Sequence, residues 1–456
     1  MRSDGVLPVE LPDAVREALL APLVDHNCDG VRRDDLTRAR FETLLTEAGT
    51  PAPPGTTHFD TPAGAAVRRW CAPVLGLAPH VPPAVYLARR MELGADEVNR
   101  RLLGAAGIAT FLFDGSGTFD GSGDSGGSGG SECPAGPDRQ DRLGGSTMSP
   151  PAEMGHAGGA DTARVVPIER AEEEVAGTAV SGVSYISALA QNLAGRAARA
   201  VALKSVTAHR SGHCLDPARP SRGAVIAAAT RRLACPGERL TDQVLLRHLL
   251  WTAVDVAREY GRPLQFHTGL ARPGGGARRD THPGRGGRIT SGGHETYGGF
   301  GAAGGFGPLG GHAASGPVLG PHGAGPAPVA GFIVAVQPMG VPVVLLHCHP
   351  FHRQAAGLAG ALPHVYVDVG AALTRSATGS AAVMAELLEL VPFHKQLFGS
   401  GGHGVAETCH LGALHYRRGL AGALAARLAD GEWSVADAAR VAQMIGSGNA
   451  RRIYRL

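Results

Sequence analysis

Eight short apolar runs, separated by text with helical spacing, constrain this chain more than any other feature. They are LVD at 23–25 leading into HNCDG, IATFLFD at 108–114, ARVVPIE at 163–169 and AVALKSV at 200–206. PLQFHTG at 263–269, VPVVLLHCHP at 341–350, HVYVDVG at 364–370 and KQLFGSG at 395–401 complete the set. Apolar residues recur at helical spacing over 15–20, 36–48, 84–103, 185–198, 242–260 and about 413–428. A strand that is apolar on both of its alternating faces must be covered on both, which is the condition of a parallel sheet flanked by helices. Eight such strands predict an α/β protein of the closed (β/α)8 TIM barrel class. An open doubly wound sheet is the alternative. The chain has no GxGxxG between a first strand and helix and no GxxxxGK[ST], so neither a dinucleotide fold nor a phosphate loop has local support.

Two stretches interrupt this order. Residues 115–160 hold 14 Gly in 46, and 271–330 hold 20 Gly and 7 Pro in 60. Such text has little apolar surface to offset the entropy of ordering it. Both are expected to be long flexible insertions in one barrel domain spanning 1–456. Each follows a strand-like run, FLFD at 111–114 or LQFHTG at 264–269, and barrels tolerate loops hung on strand ends. Linkers between separate domains are the other reading.

Composition excludes several classes. Net charge is +3 and no concentrated basic footprint occurs, so nucleic acid is not an expected partner. The seven Cys are scattered without a CxxC pair, which argues against a disulfide scaffold and for a reducing compartment. No apolar run reaches 18 residues and no signal-like segment opens the chain. The expectation is a soluble cytoplasmic protein that acts on a small-molecule substrate, without membrane association; a homo-oligomer is left open.

In a barrel the carboxyl ends of the strands carry the chemistry. Those ends present Asp25, Asn27 and Asp29, then Glu169, Lys204, His209 and Arg210, then His267, His347, His349, Asp368, Ser400 and His403. Side chains two apart on a strand share a face, which pairs Asn27 with Asp29 and His347 with His349, and turns His26 the other way. Histidines at two consecutive strand ends, 267 and 347, suit a divalent metal, with zinc the commonest choice. Taken singly, each is better explained as a hydrogen-bonded, partly buried side chain; it is the joint placement that points to a metal or active site.

At these residues the chain resembles the amidohydrolase superfamily of metal-dependent barrels. More narrowly, it resembles the amidohydrolase-2 type domain found in some proteins fused to a glutamine-synthetase-like domain. The stretches that carry the likeness are PLVDHNCDGVRR at 22–33, HFDTPAGAAVRRWCAPVLGL at 58–77 and EVNRRLLGAAGIATFLFD at 97–114. KSVTAHRSG at 204–212, PLQFHTGL at 263–270, VPVVLLHCHPFHRQAAGLAGALPHVYVDVG at 341–370 and the closing NARRIYRL continue it. The resemblance implies a His-x-His pair on strand one, a His each on strands five and six, and an Asp after strand eight. In that pattern a metal lowers the pKa of a bound water, and the hydroxide attacks a polarised carbon.

His267 and His347 match the two later positions. Asn27 and Asp29 stand where His-x-His is implied, and GSGGHG places Gly401 where the Asp belongs. The expected metal set is therefore His267, His347 and Asp29, with His403 or Asp25 recruited to move protons. Lys204 is expected to direct charge to a substrate carboxylate, to bridge metals as a carbamate, or to pair with Glu169. Arg210 suits bidentate carboxylate binding; Arg68 or Arg69, and Asp368, complete the substrate candidates. Two functions follow: a metal-dependent hydrolase of a C–N bond, or a related lyase, and a catalytically inactive barrel with a binding or regulatory role.

Overall fold

The computed structural model describes residues 7–46, 50–114, 148–208, 215–269, 325–370, 373–374 and 377–456. Most of both Gly-rich stretches, and Arg210 with them, lies outside the described residues. The outer parts of those stretches do belong to the fold, correcting their expected boundaries. Ser149 N donates to Val31 O (2.7 Å), the helix Pro151–Gly158 follows, and the helix Ala330–Val336 begins inside the second stretch.

Eight parallel strands form one curled sheet: β1 (Leu23–Val31), β2 (Ile108–Phe113), β3 (Asp161–Pro167), β4 (Ala202–Ser205), β5 (Leu264–His267), β6 (Val343–Leu346), β7 (Val365–Val367) and β8 (Gly402–Gly404). Their order is β7-β6-β5-β4-β3-β2-β1-β8. The two edges approach each other through the segment before β8. Gln396 bridges Val367 in parallel, and Leu397 N donates to Val367 O (3.0 Å). The eighth strand was expected at 395–401; its ladder to β1 lies just beyond, where Cys28 pairs with Gly402 and Val31 with Gly404. β3 also ends earlier than expected, because a helix starts at Ile168 directly after Pro167 and carries Glu169 in its first turn.

Apolar burial divides into two bodies. The larger lies between the strands and the surrounding helices. The helix Gln243–Tyr260 shows how the shell is set. Asp242 caps it by accepting from Val244 N (2.9 Å) and Leu245 N (3.2 Å), Leu246, Leu249, Leu250 and Val254 are buried, and Gly261 ends it at φ 62°. The smaller body is enclosed by the curl: Val24, Leu112, Val165, Ala202, Val344, Leu346 and Leu397 meet Ala450, Ile453 and Tyr454. The C-terminal helix Asn449–Tyr454 thus plugs the inside of the sheet, anchored by Asn449 Nδ2 donating to Phe393 O and Gln396 O (2.8 Å each).

Candidate functional site

The strand ends converge on Lys204. Its Nζ, on β4, donates to Asp114 Oδ2 (2.8 Å) just past β2, and to Asp29 Oδ1 (2.9 Å) and Asn27 Oδ1 (3.1 Å) on β1. Burial alone would push the ammonium down, but Asp114 and Asp29 reverse this and hold it well above the usual lysine range. The same contact works on Asp29: burial pushes its carboxyl up, and Lys204 with His403 brings it well below the ordinary value. An ammonium has three donors and no acceptor. All three are spent on these oxygens.

Asn27 passes the network on. Its Nδ2 donates to His347 Nε2 (2.9 Å), and the His347 ring lies 4.6 Å from that of His267, centroid to centroid, at a tilt of 51°. β6 ends at Leu346 and His347 takes φ 57°, so strand alternation no longer applies there. His349 accordingly does not share the direction of His347 and stacks on His352 instead (5.1 Å). His347 N donates to Asp368 Oδ1 (2.7 Å), and Asp368 Oδ2 is 2.8 Å from His26 Nε2. Burial raises the Asp368 carboxyl, and His26 and His347 outweigh it to leave the group below its usual value. Asp368, expected among the substrate contacts, is buried against His26 and His347.

His26 corrects a sequence expectation. It does not turn away from the interior: its Nδ1 lies 2.9 Å from Tyr454 OH, and Gln265 Nε2 donates both to that hydroxyl (2.9 Å) and to His26 O (3.0 Å). The reason is the irregular register of β1 against β2 between Asp25 and Cys28, a bulge that re-aims side chains. Gly399 fits beside this pair because a Cβ there would lie 2.7 Å from Asp368 Oδ2.

The remaining expected residues separate. Asp25 is buried and accepts from Ser400 N (2.9 Å), Asn27 N (3.2 Å) and Ser400 Oγ; burial pushes its pKa up to about 6. His403 sits at the rim, 40% exposed, with Nδ1 3.4 Å from Asp29 Oδ2. Glu169 does not meet Lys204; it accepts from Ser205 Oγ (2.7 Å), Val206 N and Thr207 Oγ1 (2.9 Å each). Arg69 stacks over Trp70 at 4.3 Å, with Arg418 at 4.6 Å from the same ring. Arg68 Nε is buried without a hydrogen-bond partner in the same turn. Gly401 has φ 61°.

Sequence reasoning did not single out Asp114, Gln265 or Tyr454. Asp114 is visible as the polar end of IATFLFD, and Gln265 as a polar residue inside an apolar strand; nothing local marks Tyr454.

The donors present do not fit the expected metal. Among the described residues no group of three or more His, Cys, Asp or Glu side chains is arranged to hold an ion. Asp29 faces the Lys204 ammonium, and His347 Nε2 faces an amide NH2. A divalent ion on Asp29 would lie beside a buried like charge.

No protein-family model matches the chain. A stretch of 118 residues, 25% of this chain, is 31% identical to Protein fluG of Emericella nidulans, and the match spans 14% of that protein's length. A presumed metal-dependent hydrolase from Lactobacillus casei has a similar structure, with TM-score 0.71 at 19% identity over 98% of each chain. The uronate isomerase of Thermotoga maritima follows at TM-score 0.56 and 11% identity, covering 100% of this chain and 99% of that one. A uronate isomerase from Bacillus halodurans gives 0.55 at 12%, over 97% and 96%. At these identities the likeness is one of fold: a parallel eight-stranded curled sheet of the TIM-like kind. Among the described residues no helix is long and apolar enough to cross a membrane.

Proposed function

We propose that this chain is an amidohydrolase-type closed (β/α)8 barrel, cytoplasmic, that binds a small molecule at its strand-end mouth in a binding or regulatory role, without metal-assisted hydrolysis. One observation carries the reading: Lys204 Nζ occupies the oxygens of Asp29, Asp114 and Asn27. That contact engages one oxygen of the carboxylate expected to ligate metal and every donor of the lysine expected to act on substrate. Asp25 and Asp368 are likewise held by protein groups. Within the described residues His403, at the rim, is the expected catalytic group that remains reachable.

A second reading keeps the chemistry of a zinc-dependent amidohydrolase-2 type enzyme acting on a C–N bond, or of a related lyase or isomerase. It is favoured by the adjacent rings of His267 and His347 and by the metal-dependent hydrolase and uronate isomerases among the structural neighbours. Metal analysis of the purified protein after zinc supplementation separates the two, beside a His267→Ala, His347→Ala double variant. An amide, ester and uronate panel is assayed in parallel. The binding reading expects no stoichiometric metal and no turnover. One bound zinc lost in the double variant, with turnover, establishes the second.

A further inference from the structure

We propose that Arg69, Arg418 and Trp70 form a binding site for a phosphate group on the helical shell, apart from the strand-end mouth. Pro62–Ala66, Val67–Cys71 and Ala72–Val74 run on as one helix whose middle is a π turn, an insertion that recurs at functional sites. That turn carries Arg68, Arg69 and Trp70. Arg418 comes from the helix Ala406–Ala429, which follows β8. The Arg69 and Arg418 guanidinium carbons lie 4.3 Å and 4.6 Å from the centre of the Trp70 ring. The span between them cannot exceed these two distances laid end to end, so a single anion can reach both.

The other two tryptophans are built differently. Arg219 lies 4.2 Å from the centre of the Trp251 ring and is neutralised by Asp255 (2.7 and 2.6 Å). Arg427 lies 5.6 Å from that of Trp433 and pairs with Glu389. At Trp70 neither Arg68 nor Arg69 meets a carboxylate among the described residues, and Arg68 Nε is buried without a partner. Burial and the charge of Arg69 push the Arg418 guanidinium below its ordinary value. His415, one turn before Arg418 on the same helix face, is 3% exposed with Nε2 unpartnered. Two cations held over a shared ring repel each other, and an anion between them removes that cost. A guanidinium fork takes two oxygens at once. One fork fills a carboxylate, whereas the three or four oxygens of a phosphate group serve two forks together. The arrangement therefore favours phosphate over carboxylate.

Titration of the full chain with inorganic phosphate at constant ionic strength, followed by calorimetry and by tryptophan fluorescence, tests this. One equivalent is expected to bind, with a fluorescence change that Trp70→Phe abolishes. Arg69→Gln is expected to weaken binding at least ~10-fold, through loss of a charge-assisted fork. Arg69→Lys keeps the charge, loses the fork and is expected to bind more weakly than the parent. It replaces Arg69→Gln should that variant fail to fold. Saturation by glycerol phosphate as well as inorganic phosphate assigns a phosphate ester as the ligand. Saturation by inorganic phosphate alone assigns the free ion, and either result upholds the site. Absence of saturable binding overturns the proposal, as does unchanged affinity in a folded Arg69 variant. A fluorescence change that persists in Trp70→Phe, or acetate bound as tightly as phosphate, overturns it too.

Discussion

Two kinds of buried charge coexist in this molecule and follow opposite rules. In the helical shell Glu172 meets Arg232 (3.0 and 3.2 Å) and Tyr185 OH (3.0 Å), while Glu407 meets Arg90 (2.9 Å) and Tyr86 OH (2.8 Å). Each cluster has one carboxylate, one guanidinium and one phenol, and its charge sums to zero. At the mouth Lys204 faces two carboxylates and an amide. The shell clusters pin helices together and offer nothing to a visitor. The mouth sets one ammonium against two carboxylates, so its stability depends on Lys204 remaining between them.

Substitution of the central cation should separate the two most widely. Removing one partner of a buried pair costs about 3–5 kcal/mol. In chelator at neutral pH, Lys204→Met is expected near the top of that range and Arg232→Met near the bottom, because the first strands two carboxylates and the second only one. Urea unfolding measures both, and equal losses would erase the distinction.

Protonation gives the next effect. The Asp25 carboxyl is raised from 3.8 to about 6, chiefly by burial. A carboxyl with a higher pKa in the folded state favours folding while protonated. Its contribution is complete below about pH 4 and is lost as the pH rises through about 6. The parent's stability relative to Asp25→Asn should thus fall by on the order of 2–3 kcal/mol across that window. Asp29 and Asp368, held low, act in the opposite sense and cancel in the difference. A flat difference would show that Asp25 keeps its proton equilibrium on folding.

Restoring an acid at 401 tests the imbalance from the other side. Gly401 has φ 61°, where a side chain costs about 1–2 kcal/mol. Thermal unfolding of Gly401→Asn against Gly401→Asp distinguishes strain from charge. Equal losses mean strain alone; a larger loss for Asp means that the new carboxylate feels the surplus at the mouth. The smallest change is expected in the neutral shell, where Tyr185→Phe removes one hydrogen bond and costs about 1 kcal/mol. A loss as large as that of Arg232→Met would make the phenol as important as the guanidinium.

The strands were legible because β2, β4, β5 and β6 are buried on nearly every residue and sit in mostly apolar runs, unbroken in β6. β8 was placed early because GSGGHG has no apolar pattern to mark where its pairing with β1 begins. The polar strand ends were legible as a set, but their pairing was not. Pairing with Glu169 was one of the roles expected for Lys204, whereas the helix beginning at Ile168 carries Glu169 off to Ser205 and Thr207. The direction of His26 was misread because a bulge is a property of two strands together and leaves no mark on one.

The plug formed by Tyr454 has a consequence for biosynthesis. His26 is synthesised 428 positions before the hydroxyl that meets it. Through that interval every strand can be made, yet Gln265 and the inner faces of Val24, Leu112 and Val344 still lack their lid. A nascent chain stalled before Asn449 would present an open apolar well with a polar floor. Closure of the barrel interior therefore waits on the segment Asn449–Tyr454, and chaperone dependence should centre on that segment.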